Sequence, residues 1–261
     1  MRRLTAGLLR QLARDAGLAS PSIVIQPEQP PGEAVVLDPG RPMYPASMIK
    51  VPLAAVLTTL WASGDLQAAG RAHVLAANMT ANDAASPLVP GYVATLEELA
   101  TLMLTRSDNV ATNVLFDVIG RMRATKLAAA MGLSNTHFRR KLSGSLPLID
   151  DPEATGRNAH PALDASSLFS AIARGTLPGA RWLYATLLEQ KWNDKLSRGL
   201  RPGDRFAHKT GETDEASHDG GILDTADGTR FVIVVYTALE AGAASDSRLA
   251  AFMSAVRPLL R

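Results

Sequence analysis

The chain has 261 residues, 46% of them hydrophobic and 20% charged, with a formal net charge of +2 and no cysteine. That length supports a sizeable core in one large domain or two lobes, and the near-average composition argues for an ordered globular protein. Without cysteine there is no catalytic thiol, disulfide framework or thiolate metal site, and so small a positive excess, despite a pI near 9.0, leaves no footprint for nucleic acid.

Leu4, Leu8, Leu9 and Leu12 recur at helical spacing among Arg10, Arg14 and Asp15, so the N-terminus reads as an amphipathic helix and not as a signal peptide. The expected location is the cytoplasm if the chain is full length, and outside it if a leader has been removed. Two strand-like runs follow, Ser22 to Gln26 and Ala34 to Leu37, separated by a Pro- and Gly-containing turn and therefore expected to form a hairpin. No stretch has the roughly 18 uninterrupted apolar residues of a membrane span.

From Ser47 to about Gly132 the pattern is helical: Met48 to Trp61, Thr95 to Leu104 with a Thr95/Glu98 capping box, Asn109 to Ile119, and Ala124 to Met131. Phe138 to His160 has little periodicity and several Gly, Pro and Asp residues, the mark of a long loop, and loops of that length are usually functional. Helical pattern returns at Pro161 to Arg174 and Arg181 to Gln190. Strands are expected at Arg205 to Lys209, Gly220 to Leu223 and Phe231 to Thr237, the last two joined at Asp227-Gly228, and a final helix at about Ala244 to Leu260. Strands at both ends with helices between them predict an α+β lobe built from residues 1–45 and 191–261 and a mostly helical lobe from residues 46–190, with a small-molecule cleft between them.

Ser47 stands three residues before Lys50 at the start of an apolar helical run. The same residues describe an ordinary helix N-cap, and for the pair alone that is the better reading. Residues three apart share a helix face, however, so the lysine amine can reach the hydroxyl, and burial would lower its pKa toward that of a usable base. Ser107, Asp108 and Asn109 follow at the start of a later helix, and Lys209, Thr210 and Gly211 on a strand. Alone, these would be a helix cap and a strand-edge charge. The five histidines show no metal-binding spacing, and neither a metal nor another cofactor is expected.

The ordered trio Ser-x-x-Lys, Ser-Asp-Asn and Lys-Thr-Gly resembles the class A β-lactamase and penicillin-binding serine hydrolase superfamily. The order of elements is similar over nearly the whole chain, and Asn113 matches an asparagine that follows Ser-Asp-Asn in that family. The resemblance implies a class A β-lactamase-like fold: an antiparallel sheet flanked by terminal helices, with an inserted helical lobe. It implies that Ser47 attacks a β-lactam amide and that Lys50 takes or relays its proton. It further implies an oxyanion hole from the backbone N–H groups of Ser47 and Glu212, and a proton passed by Ser107 to the leaving nitrogen. Substrate would be bound by Asn109, Lys209, Thr210 and Gly211.

The chain departs from that pattern in two places. Where the family has Arg-Trp-Glu-Pro, with the glutamate that positions the deacylating water, this chain has Arg140, Lys141, Leu142 and Ser143. Asp150, Asp151 and Glu153 are the nearest carboxylates, readable as solvated loop charges or as a displaced base. Glu212, two residues after Thr210 on the same strand face, brings a carboxylate toward the place of the substrate's own. The expected activity is acylation of Ser47 by β-lactams with turnover that is slow if no carboxylate reaches the site. The alternatives are a D-Ala-D-Ala peptidase or esterase on the same scaffold, and a penicillin-binding sensor that keeps its adduct. The partner would be a small β-lactam or D-Ala-D-Ala-like peptide and the protein a monomer.

Overall fold

The computed structural model describes residues 3–144 and 149–261. Its centre is a five-stranded antiparallel sheet in the order β2-β1-β7-β6-β5, formed by β1 (Ser22–Gln29), β2 (Val35–Leu37), β5 (Arg205–Thr213), β6 (Ala216–Asp224) and β7 (Arg230–Tyr236). The N-terminal hairpin thus pairs with the last strand of the chain, Ile23 opposite Val235 and Ile25 opposite Ile233. A second sheet of two short strands, β3 (Arg71–His73) and β4 (Val93–Thr95), lies outside the elements expected from sequence. At three residues each they are too short to show alternation.

The central strand β7 reads Arg-Phe-Val-Ile-Val-Val-Tyr because both its faces are buried. Phe231, Ile233 and Val235 enter one core, with α1 (Ala6–Asp15) and α8 (Ala243–Val256). Val232, Val234 and Tyr236 enter the other, with α2 (Lys50–Ser63) and α6 (Ala162–Ala173). Each such fully buried side chain contributes about 1.5–3 kcal/mol of apolar burial, so the alternation along one strand ties two layers to the sheet.

Local signals set the helix ends. The Thr5 hydroxyl accepts the Leu8 amide at the start of α1 (3.2 Å), Thr95 accepts Glu98 N at the start of α3 (Leu96–Thr105; 3.1 Å), and Asp108 accepts Ala111 N at the start of α4 (Asn109–Ile119; 2.9 Å). Gly64 ends α2 in the left-handed region, φ 79°, which a glycine adopts without steric cost. The remaining helices are α5 (Arg121–Ala130) and α7 (Ala180–Leu188). The described part of the 138–160 loop contains no helix or strand, and an isolated bridge between His137 and Ala159 closes its neck.

The helix expected from Met48 begins differently. Ala46–Ile49 form a single 3₁₀ turn and the α-helix starts at Lys50, so Ser47 is inside the turn and its side chain caps no helix. The tighter turn follows from Ala46, which has φ +48°, and from the Met48 N–H donating to Pro45 O (3.0 Å). By length and composition the combined run Ala46–Ser63 could cross a membrane, but 72% of it is buried inside the protein, where it forms the core helix of the larger hydrophobic cluster.

Candidate active site

Three separated segments meet at Ser47: the 3₁₀ turn that carries it, the start of α4, and the edge strand β5. Gly211 is what lets β5 come so near. A Cβ there would lie 3.0 Å from Pro45 O and 3.1 Å from the backbone nitrogens of Ser47 and Met48. Ser107, which joins α3 to α4, has φ +60°, a conformation rarely adopted by non-glycine residues and found mostly at functional sites.

Lys50 is fully buried and its amine is held by three acceptors, Ser107 O at 2.5 Å, Asn109 Oδ1 at 2.7 Å and Ser107 Oγ at 3.0 Å. Its pKa is pushed well below the usual lysine range, chiefly by burial and then by the nearby charge of Lys209, against the partial opposition of Asp83 and Asp108. The amine thus points to Ser107 in the rested site, and among the described residues the Ser47 hydroxyl has no hydrogen-bond partner. Lys209 is also fully buried and donates to Thr210 O at 2.9 Å; burial brings its pKa down to about 7.

Ser47 opens onto two adjoining clefts. The larger, about 640 Å³, is walled by Tyr44, Asn109, Arg140, Leu142, Arg157 and Glu212 among others. The smaller, about 140 Å³, runs past Ser107, Thr210 and Gly211 toward Trp192 and Lys195. Ser47, Lys50, Ser107, Asn109, Lys209, Thr210 and Gly211 are therefore brought together. Asn109 already uses its side chain: Oδ1 accepts from Lys50 and Nδ2 donates to Ala81 O at 2.9 Å.

The three loop carboxylates are not brought to the nucleophile. Asp151 accepts from the Arg121 guanidinium and from Lys141 N (2.7 Å), and Glu153 takes the other side of Arg121 (2.7 Å). Burial would raise the Asp151 pKa, but the hydrogen bonds from Lys141 and Arg121 overcome it and hold the carboxyl below its usual range. Asp150 is exposed, and none of the three lines either cleft. They form a clamp that shapes the loop. What the loop does present is Leu142, 5% exposed, whose N–H donates to Asn113 Oδ1 (2.7 Å) and whose carbonyl accepts from Asn113 Nδ2 (3.0 Å). Asn113 thus fixes a leucine in the cleft wall at the position read above as that of the family's glutamate.

Several residues at the site carried no sequence signal. Lys195 donates to Glu212 Oε2, Ser217 Oγ and Asp246 Oδ1, each at 2.7 Å, so the Glu212 carboxylate is neutralised by a neighbour and does not stand alone in the cleft. Burial opposes the charge on Lys195, but the hydrogen bonds to Asp246 and Glu212 outweigh it and raise its pKa. Its partners come from the β5–β6 hairpin and from α8. Arg157 lies over the Tyr44 ring, 4.3 Å from its centroid, and pairs with Glu215 in the β5–β6 turn. Asp83 lines both clefts. Among the described residues, no three His, Asp or Glu side chains converge as metal ligands would.

Comparison with known proteins points to a family for the chain as a whole. The model of the Beta-lactamase enzyme family matches residues 9–256. Among solved structures, a beta-lactamase from Sphaerobacter thermophilus is 23% identical with a TM-score of 0.85, covering 98% of both chains. PBP-A is 22% identical with a TM-score of 0.83, covering 98% of this chain and 96% of its own. A leucine-to-glutamate variant of PBP-A, solved as an acyl-enzyme complex with penicillin G, gives the same identity and TM-score and is covered to 97%. Comparison with curated proteins gives no match. With nearly the whole length matched and the antiparallel sheet and helical insert in place, the chain belongs to the beta-lactamase enzyme family.

Proposed function

We propose that this protein is a serine acyl-transfer enzyme that opens β-lactam amides at Ser47 and releases the resulting ester slowly. The observation that carries the reading is Leu142: the loop wall of the cleft that Ser47 lines presents a leucine whose backbone is held by Asn113, and Asp151 and Glu153 of the loop are bound to Arg121. Acylation needs a nucleophile and a base, and rapid ester hydrolysis also needs a group that activates water.

In the proposed acylation, Ser47 Oγ attacks the lactam carbonyl carbon while its proton moves to the neutral amine of Lys50, the form that burial favours. Ser107 Oγ, 3.0 Å from Lys50 Nζ, relays the proton to the departing nitrogen as the carbon–nitrogen bond breaks. The backbone N–H groups of Ser47 and Glu212 receive the developing oxyanion, a role supported by the close approach of β5 to the turn at Gly211. Lys209 and Thr210 bind the substrate carboxylate, and Asn109 binds its amide by exchanging its bond to Ala81 O for one to the substrate. The PBP-A acyl-enzyme with penicillin G supports the choice of ligand.

The test is intact-mass spectrometry with excess penicillin, followed over time beside Ser47→Ala, while ring opening is monitored. An adduct on the wild type alone that outlasts many cycles of ordinary lactamase turnover is the expected result. Ring loss faster than adduct accumulation would refute slow release, and neither adduct nor ring loss would remove β-lactams from the account. A D-Ala-D-Ala-like peptide is the second reading for the physiological acyl donor, supported by the cleft of about 640 Å³ extending from Ser47 between Tyr44, Arg140 and Arg157.

A further inference from the structure

A second serine, on the opposite face of β5 from Lys209, has the relations of an activated nucleophile. His208 precedes Lys209 on the strand and so points the other way, where its ring stacks on Phe206 at 4.6 Å and is 1% exposed. His208 Nδ1 is 2.8 Å from Asp219 Oδ1 on β6, and the other Asp219 oxygen accepts Leu196 N at 3.0 Å. His208 Nε2 is 3.0 Å from Ser197 Oγ and 3.1 Å from Asn193 Oδ1. Two glycines make the arrangement possible. A Cβ at Gly221 would be 2.6 Å from His208 Cβ, and one at Gly199 would be 2.3 Å from Ala250 O, so the turn carrying Ser197 is packed directly on α8.

The hydrogen-bonding logic is directional. A carboxylate only accepts, so Asp219 takes the Nδ1 proton; in the neutral ring the Nε2 lone pair can then accept from the Ser197 hydroxyl, whereas the Asn193 oxygen bonds to Nε2 only when that nitrogen carries a proton. Once Nε2 takes that proton, Asp219 and the Asn193 carbonyl oxygen both accept from the imidazolium. Ser197 is half-buried and opens to a surface cleft of about 510 Å³ whose walls include the apolar Leu188, Leu200 and Phe206 and the cationic Arg201 and Arg205. Asp204, also on that wall, is taken by Arg257 (2.7 and 2.8 Å).

We propose that Ser197, with His208 as base and Asp219 orienting it, is a second nucleophile that accepts an acyl group from a small activated ester with an anionic leaving group. Ser197 Oγ bonds to the ester carbonyl carbon and the bond from that carbon to the leaving oxygen breaks. The hydroxyl proton passes to His208 Nε2, and the leaving group departs as the anion toward Arg201 and Arg205. The site is independent of Ser47 and of the reading given to it.

The test uses the Ser47→Ala protein, so that the first nucleophile is silent, with 4-nitrophenyl acetate as probe and peptide mapping of the acetylated residue. The expected result is acetylation at Ser197 with release of one nitrophenolate per ester formed. His208→Gln should slow it by ~10²–10⁴-fold, the usual worth of a general base. No acetyl group on Ser197, or a rate there that is independent of His208, would overturn the proposal and leave a structural hydrogen bond. Should His208→Gln fail to fold, Ser197→Ala in the Ser47→Ala protein decides: the nitrophenolate released with acetylation should be lost, and an unchanged release would overturn the proposal.

Discussion

The two walls of the Ser47 cleft are built on opposite principles. On the side formed by the 3₁₀ turn, α4 and β5, polar groups converge: two fully buried lysines have their pKa values lowered, and one of them bonds to Ser107 and Asn109. On the side formed by the 138–160 loop, the carboxylates Asp151 and Glu153 are withdrawn from the nucleophile and spent on Arg121. Burial without an opposite charge tunes a group for proton transfer, whereas burial with one fixes the backbone. The first wall is suited to forming an ester and the second offers little to break it.

The contrast is broken most completely at the first wall. Lys50→Met should lower the acylation rate of Ser47 by ~10²–10⁴-fold while leaving the fold intact, because a fully buried amine is exchanged for an apolar side chain of similar length; stopped-flow adduct formation with penicillin measures it. An unchanged rate would take the base role from Lys50.

Leu142→Glu tests the second wall. Asn113 holds the backbone of residue 142, not its side chain, so the loop should keep its path and present a carboxylate to the cleft. The adduct lifetime should fall at least about tenfold, a fraction of what a positioned general base supplies. If the lifetime is unaltered while circular dichroism shows an intact fold, the wall is not the reason for slow release.

Arg121→Met should cost about 3 kcal/mol in urea unfolding, since it leaves the Asp151 carboxylate, 2% exposed, without its cation. Its effect on acylation should be much smaller than that of Lys50→Met, because Arg121 lines neither cleft.

The smallest effect expected is that of pH. With its pKa near 7, Lys209 is charged below that value and loses its proton above it, so binding of an anionic lactam should weaken by up to about tenfold per pH unit above 7, and Lys209→Ala should flatten the profile. For folding the sign is the reverse. Between about 7 and the ordinary lysine value of 10.5 the unfolded chain binds the additional proton, so this group alone makes stability rise with pH across that window.

Much of this architecture was readable from local pattern. Thr95 marks a helix start because a side-chain oxygen accepting an amide three residues on is a property of a few consecutive residues, whereas at α4 the cap is Asp108 and not Ser107, the residue that the sequence offered for it. β7 was readable as a buried strand for the same reason. The 3₁₀ turn at Ser47 was not, because its tightness depends on the positive φ of Ala46 and on the strand that passes at Gly211. Nor were Lys195 with Glu212 and Asp246, or Ser197 with His208 and Asp219, since these partners lie on different elements and only strand register and helix packing bring them together.

What the sequence determined by itself was the order of chemical parts: Ser47 before Lys50, Ser107 before Asn109, Lys209 before Gly211, and a leucine where an acid would be expected. These follow from residue identity and short spacing. Which way each part faces was decided only by the tertiary structure. It turns the Lys50 amine to Ser107, removes the loop carboxylates to Arg121, neutralises Glu212 with Lys195 and sets His208 back to back with Lys209. Burial and long-range charge pairing act between segments that meet only when the sheet closes, and they decide which partner each of these groups meets.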